Sequence, residues 1–429
     1  MKIVQLTPGT GDAFYCENCL RDRETVRAWR AMGHDCLMVP LYLPLSMEAD
    51  AGGTGPIFFG GVNVYLQQHL ALFRHTPRWL DRLFDARGLL RRVGKLAGMT
   101  SASDLGRTTL SMLDGQNGRQ RKELKRLVEW LAGRERPDVV VLSNALLLGM
   151  VRRLKEALGG VKVACLLQDE DEFVDALGDE DRARVWARMA QRAADVDVFV
   201  ATSRHFAELM RERLNLPAGR LHVVHVALPV EEYEPAASSP DPPVVGFLSR
   251  MCRPKGLDLL AEAFIRLKAT PELRNLKLRA AGGKTAADDE YVGSIHKRLG
   301  AAGMADDAEL LPNLPGEQRK EFLRSLSVLS VPDRRGEAAG MFILESLACG
   351  VPVVLPRTGA APELVDATGG GVLYEPNDAD SLAAALKELL LDPARMGELG
   401  RRGRQAVIEN FRASRAAAAL LEIFERAAQ

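Results

Sequence analysis

The residues best placed to do chemistry lie in the second half of the chain. In "VVGFLSRMCRPKGLDLLAEAF", Arg250 and Lys255 stand in the loop between an apolar, strand-like run and the next helix. Two cations presented from one loop neutralise a diphosphate and stabilise it as a leaving group; a pair of ordinary surface cations has the same spacing. In "RRGEAAGMFILESLACGVPVV", Glu337 and Glu345 lie eight residues apart around Gly340, which opens a helix. A helix start offers unpaired N–H groups and a positive dipole end, which suit phosphate oxygens and sugar hydroxyls. Glu337, ahead of the helix, can accept hydrogen bonds from a polyol, and Glu345, two turns in, can hold a vicinal diol. On spacing alone, a solvated helix with two unrelated acids fits equally well.

These residues need elements to hold them, and the hydrophobic pattern supplies a regular set. Short β-branched runs alternate with longer helical stretches: "KIVQL", "DCLMVP", "DVVVLS", "VKVACLL" and "VDVFVATS", then "PVVGFLS", "LKLRAAG", "LSVLSVP" and "VPVVLP". Apolar runs on this rhythm imply parallel strands covered on both faces, so each half is predicted to be a doubly wound α/β domain. A length of 429 residues suits two domains. "EYEPAASSPDPPVV", with four prolines and two serines, reads as the linker, with the boundary near Ser238. The domains are thus expected at 1–237 and 238–411, with a helix over 412–429 packing back toward the first. Ligands in such sheets bind at the carboxyl ends of the strands, which makes a cleft between two such domains the expected site.

Composition narrows the partners. Lys plus Arg equals Asp plus Glu at 57 each, so no global field draws the chain to nucleic acid. The N-terminal run is too short for a signal peptide or membrane span, and no apolar run approaches the ~18 residues a bilayer needs, so a soluble cytoplasmic protein is expected. One local field stands out. Residues 74–98 carry seven Arg or Lys against two Asp, with Trp79, Leu80, Leu83, Phe84, Leu89, Leu90 and Val93 interleaved. They read either as a covering helix with a basic outer face or as a peripheral contact with the inner membrane face or an anionic acceptor.

The second-half segments together resemble the retaining, nucleotide-sugar-dependent glycosyltransferases of family 4, which have the two-domain GT-B fold. The family's G-R-x-x-x-x-K-G loop appears as Ser249, Arg250, Lys255 and Gly256. Its E-x7-E element appears as Glu337, Gly340, Glu345, Ala348, Gly350, Pro352, Val353 and Val354, with "TGAAPELVDATGGGVLYEPNDADSLAAAL" following. The resemblance runs from about Val244 to Phe411. It implies two Rossmann-like domains facing a deep interdomain cleft, and a catalytic set of Glu337, Arg250 and Lys255. Arg250 and Lys255 would bind the donor diphosphate and Glu337 the transferred sugar. The backbone N–H groups of Gly340, Met341 and Phe342 would meet sugar hydroxyls or phosphate, and Glu345 the ribose. Ala338 and Ala339 stand where the family usually has Gly and Phe, which leaves the donor sugar open.

The first half is more divergent. "PGTGDAF" looks like the family's Gly-rich first loop, with Gly9 and Gly11 as further donor-binding residues or as a plain turn. Gly60 and Gly61 lead to Asn63 and Tyr65, acceptor contacts or part of a glycine turn. "VACLLQDEDEF" ends where many members have a His-Asp pair beside the reacting sugar; here it is Gln168-Asp169, and Gln offers a contact but no titrating base. Gln168, Asp169 and Glu170 are acceptor-side candidates, with a solvated helix start as the plain alternative. The family's P-N-G-V-D turn is replaced by one with Val226-Ala227. "DED" and "DVD" match a metal-binding D-x-D, but Arg250 and Lys255 already answer the charge, so no metal and no cofactor are expected. Cys16 and Cys19 form a C-x-x-C after the first strand-like run. A redox pair and a zinc site with His34 and Cys36 are the lesser readings; acceptor-side lining or packing of the first loop is the preferred one.

The expected activity is that of a hexosyltransferase-type enzyme. It would move a sugar from a UDP- or GDP-linked donor, with retention and without a metal, to a glycan, a lipid-linked molecule or a small molecule. The alternative is a non-transferring GT-B relative, such as a nucleotide-sugar epimerase or a catalytically silent binding subunit.

Overall fold

The computed structural model describes residues 1–8, 17–41, 58–59, 102–236 and 238–428. They form two compact units, Met1–His225 with Ala416–Gln429, and Val226–Arg415. The first holds a parallel sheet of β1 (Lys2–Pro8), β2 (Asp35–Leu41), β3 (Val139–Leu142), β4 (Lys162–Leu167), β5 (Val198–Ala201) and β6 (Leu221–Val223), in the order β2-β1-β3-β4-β5-β6. β3 reads VVVL and β5 VFVA, with every residue buried, as expected of strands covered on both faces. The C-terminal helix Ala413–Ala428 docks onto this unit. The Trp29 indole N–H donates to the Ala417 carbonyl at 3.0 Å, and its ring meets Phe424 edge-on at 5.8 Å. Aromatic side chains of this size bury about 150–250 Å² each, or several kcal/mol at ~25 cal/mol per Å², so the helix is an integral part of the unit's core.

The second unit holds β7 (Val244–Leu248), β8 (Lys277–Gly282), β9 (Ala308–Pro312), β10 (Val328–Leu329), β11 (Val353–Pro356) and β12 (Gly371–Tyr374) in the order β12-β11-β10-β7-β8-β9. This is the doubly wound dinucleotide-fold order, in which the chain reverses direction between its first and fourth strands. The reversal sets β7 beside β10, paired through Val328 with Val245 and Leu329 with Gly246. Ligands in open α/β sheets bind outside the carboxyl ends of the strands at such a point.

All nine runs singled out in the sequence are strands. β6, β9 and β12 were not anticipated. Each lies at the outer edge of its sheet and is only partly buried, so its sequence lacks the continuous apolar run. The proline-rich segment read as a linker around Ser238 differs from expectation: the second unit already begins at Val226. The reason is local packing. Leu228, Val230 and Tyr233 are buried, and the Leu228 N–H donates to Phe411 while its carbonyl accepts from Ala413, both at 2.9 Å. The segment that begins the unit is therefore tied to the segment that ends it.

Candidate active site

Lys255, in the loop after β7, meets two carboxylates from the loop after β10. Its Nζ lies 2.7 Å from Asp333 Oδ2 and 3.3 Å from Glu337 Oε2. The side chains are 8%, 4% and 11% exposed, so this charge cluster is shielded from water. The two loops press together because Gly256, at φ 75°, has no side chain: a Cβ there would stand 2.0 Å from the Pro332 carbonyl oxygen. Arg334 straps them. Its backbone N–H donates to Pro254 at 2.8 Å and its guanidinium to the Arg253 carbonyl at 2.6 Å. The same guanidinium binds both oxygens of Asp258 at 2.8 and 2.9 Å. Burial would raise the Asp258 carboxyl, but its bonds to Arg334 and Tyr291 hold it below the ordinary carboxylate range. The strap is thus ionic at neutral pH, and it fixes the short turn Arg253–Lys255 that presents the lysine.

Both carboxylates also order the backbone that leads into the helix Met341–Ala348. Asp333 Oδ1 accepts from the N–H groups of Arg335 and Gly336 at 2.8 and 3.1 Å. Glu337 Oε1 accepts from Ala339 and Gly340 at 3.4 and 3.3 Å. Gly340 is left-handed at φ 75°, a conformation open to glycine at little cost, and its carbonyl takes the first helical bond, from Ile343 at 3.0 Å. The N–H groups of Met341 and Phe342 precede that bond and lie at the positive end of the helix dipole. A lysine, two shielded carboxylates and a helix start therefore converge at the switch point of the sheet. Arg250, exposed, stands on the same loop as Lys255.

Glu345 is placed differently from the other predicted residues. It is 1% exposed, and its carboxylate is gripped by Arg319, whose Nε lies 3.0 and 2.9 Å from the two oxygens. The Tyr233 hydroxyl donates to Oε1 at 3.0 Å. Sequence reasoning missed Asp333, Arg319 and Tyr233. Asp333 stood in reach of it, as an acid directly after the strand-like run "LSVLSVP" and four residues before Glu337; nothing in the local pattern marks the other two.

In the first unit, the predicted Gln168, Asp169 and Glu170 form the turn after β4. Asp169 is left-handed at φ 53°, and its carboxylate accepts from the Asn18 amide at 3.4 Å. Gln168 is buried. Its amide nitrogen donates to the Ser143 carbonyl, while its Oε1 is buried with no hydrogen-bond partner among the described residues. Glu170 is a strut: Oε1 accepts from Ala145 N–H and Oε2 from Gln168 N–H, both at 2.7 Å, tying the turn after β3 to that after β4. Burial pushes its carboxyl up to about 7, against the pull of those N–H groups. A carboxyl raised in the folded state binds protons more tightly than in the unfolded chain. Its stabilising protonation is complete below the unfolded value of 4.5 and is lost as pH rises through about 7. The slope of Tm against pH between 5 and 7.5 is therefore expected to lose a falling component in Glu170→Gln; an unchanged slope would refute the assignment.

Cys19 is half-buried, and its thiol donates to the Pro8 carbonyl at 3.4 Å. Cys36 lies buried in β2, where burial pushes its thiol up to about 11. Gly9, Gly11, Cys16, Gly60, Gly61, Asn63, Tyr65 and the stretch 74–98 lie outside the described residues. Among the described residues, no helix is long and apolar enough to cross a membrane.

Two family models match the chain: "Glycosyl transferase 4-like domain" over residues 21–227 and "Glycosyl transferases group 1" over residues 231–406. Together they take in most of both units. The chain belongs to the family 4-like glycosyltransferases. Among curated relatives, a GDP-mannose-dependent alpha-(1-6)-phosphatidylinositol monomannoside mannosyltransferase of Mycolicibacterium smegmatis is 32% identical over 43% of this chain and 48% of its own length. The alpha-maltose-1-phosphate synthase of the same organism is 29% identical over 67% and 79%. A D-inositol 3-phosphate glycosyltransferase of Corynebacterium jeikeium is 26% identical over 53% and 49%. The matches thus span about half the length of the first and third relatives. Of solved structures, sucrose-phosphate synthase from Thermosynechococcus elongatus superposes with a TM-score of 0.71 at 16% identity over 99% of each chain. Anabaena HepE, solved with UDP, gives 0.69 at 14% identity over 99% of this chain and 100% of its own. At these identities the likeness shows the fold, which is GT-B.

Proposed function

We propose that the protein is a hexosyltransferase that moves a glycosyl group from a UDP- or GDP-linked sugar to an acceptor, with retention and without a metal or other cofactor. The observation that carries this reading is the convergence of Lys255, Glu337 and the N–H groups of Met341 and Phe342 at the switch point of the second sheet. Lys255 and Arg250 would neutralise the diphosphate as it leaves, which answers the charge that a divalent metal otherwise meets. Glu337 would accept from the hydroxyls of the transferred sugar. Glu345 is a candidate ribose ligand by exchange, its Oε1 trading the Tyr233 hydroxyl for a ribose hydroxyl.

The side chain of Gln168 does not titrate, so no base acts there. The acceptor oxygen bonds to the anomeric carbon as the bond to the diphosphate breaks, and the acceptor proton passes to a diphosphate oxygen on the same face. Gln168 and Asp169, carried by the first unit, are the acceptor-side candidates there, with the Gln168 Oε1 able to accept a hydroxyl. The names of the relatives make the two nucleotides the first to try: one mannosyltransferase is GDP-mannose-dependent, and HepE was solved with UDP-glucose.

The test incubates the full chain with UDP-, GDP- and ADP-sugars and measures nucleotide release with and without glycan, lipid-linked and inositol phosphate acceptors. Acceptor-dependent release is expected, with the donor's anomeric configuration kept in the product by NMR and the rate unaffected by EDTA. An inverted product would defeat retention, and loss of activity in EDTA would defeat metal independence. Donor binding without turnover on any acceptor would favour a catalytically silent nucleotide-sugar-binding subunit.

A further inference from the structure

We propose that Asp333 competes with the donor diphosphate for Lys255 and so sets the affinity of the site for nucleoside diphosphates. The proposal rests on the donor-binding reading of the same site.

One ammonium here faces two carboxylates, at 2.7 Å from Asp333 and 3.3 Å from Glu337. The three charges sum to −1 at the place where a multiply charged anion is to be held. All three side chains are largely shielded from water, so this excess is felt more strongly than it would be at the surface. Glu337 has a task in the proposed reaction, accepting from the transferred sugar. Asp333 has none, yet it holds the shorter contact to the lysine. A phosphate oxygen that takes the ammonium N–H now given to Asp333 Oδ2 displaces that carboxylate and leaves it nearby as a repelling charge.

The two oxygens of Asp333 do separate work, which makes the idea testable. Oδ1 caps the N–H groups of Arg335 and Gly336, while Oδ2 takes Lys255. Asn in this position keeps a carbonyl oxygen for the cap and removes the charge. Ser also caps such turns, through its hydroxyl. If Asp333 serves only to orient the lysine, removing its charge weakens nucleotide binding. If it competes, removing its charge tightens binding and leaves the turn intact.

The experiment titrates the wild type, Asp333→Asn and Asp333→Ser with UDP and GDP by calorimetry at three ionic strengths. It also measures donor KM and kcat separately. In both variants Kd is expected to fall at least about fivefold, with a steeper dependence on salt because one more net positive charge meets the ligand. Donor KM is expected to fall in step, while kcat does not rise. Equal or weaker binding in both variants, with Tm kept, overturns the proposal while leaving the donor-binding reading in place. Binding by neither the wild type nor the variants overturns both.

A structure of the wild type with bound nucleoside diphosphate gives a second check that needs no variant to fold. Lys255 Nζ is expected on the phosphates and beyond about 4 Å from Asp333 Oδ2, the usual limit of an ion pair. A contact kept at its present length overturns the proposal.

Discussion

Lys255→Ala is expected to lower kcat/KM for the donor by at least about 100-fold, the scale seen when one preorganised electrostatic contact to a developing charge is removed. The same change should also lower stability. It leaves Asp333 and Glu337 shielded from water and facing each other without their common cation, and breaking a buried pair from one side costs about 3–5 kcal/mol. The two losses are separable. Lys255→Met combined with Asp333→Asn removes the cation together with its closer partner, so Tm should recover most of the way while kcat/KM stays lowered by the same factor. Nucleotide release measures the first quantity and scanning calorimetry the second. Turnover near the wild-type rate in Lys255→Ala would remove Lys255 from the site.

Arg319→Leu is the second large effect, and it falls on stability. Glu345 is 1% exposed and Arg319 8%, with both carboxylate oxygens taken by the guanidinium. Without Arg319, the buried charge of Glu345 keeps the Tyr233 hydroxyl but loses its guanidinium, and the cost is again about 3–5 kcal/mol. In a unit of this size each kcal/mol moves Tm by roughly 2–4 °C, so a fall of about 10 °C is expected. Tyr233→Phe removes one hydrogen bond from the same carboxylate and should cost about 1–3 kcal/mol. The double change Arg319→Leu with Glu345→Leu should recover much of the loss, because neither charge is then left unpaired. An unchanged Tm in Arg319→Leu would show that the pair does not hold the helix Met341–Ala348. Transfer should weaken along with the fold, because the N–H groups of Met341 and Phe342 begin that helix.

Central strands were legible because burial on both faces demands a continuous apolar run, and β3, β5 and β7 are buried throughout. The edge strands β6, β9 and β12 were not, because they are partly solvated and their residues obey no such demand; β2, an edge strand that is mostly buried, was. The boundary near Ser238 misled for a related reason. Proline and serine mark the absence of regular structure, but buried Leu228 and Tyr233 ahead of them already belong to the second unit.

At the site, the sequence by itself determined which loops matter. A strand run followed by Arg250 and Lys255, and another followed by Glu337 and Gly340, name the cation, the carboxylate and the helix start through local pattern alone. The tertiary structure decided what those groups face. Lys255 and Asp333 are 78 residues apart, and Arg319 and Glu345 are 26 apart. No local pattern couples residues so distant; the contact between Lys255 and Asp333 exists because the chain reverses direction between β9 and β10 and lays β10 beside β7. Glu345 likewise follows the family motif in its spacing, while its partners are set by packing between the helix Met341–Ala348 and the segments that carry Arg319 and Tyr233.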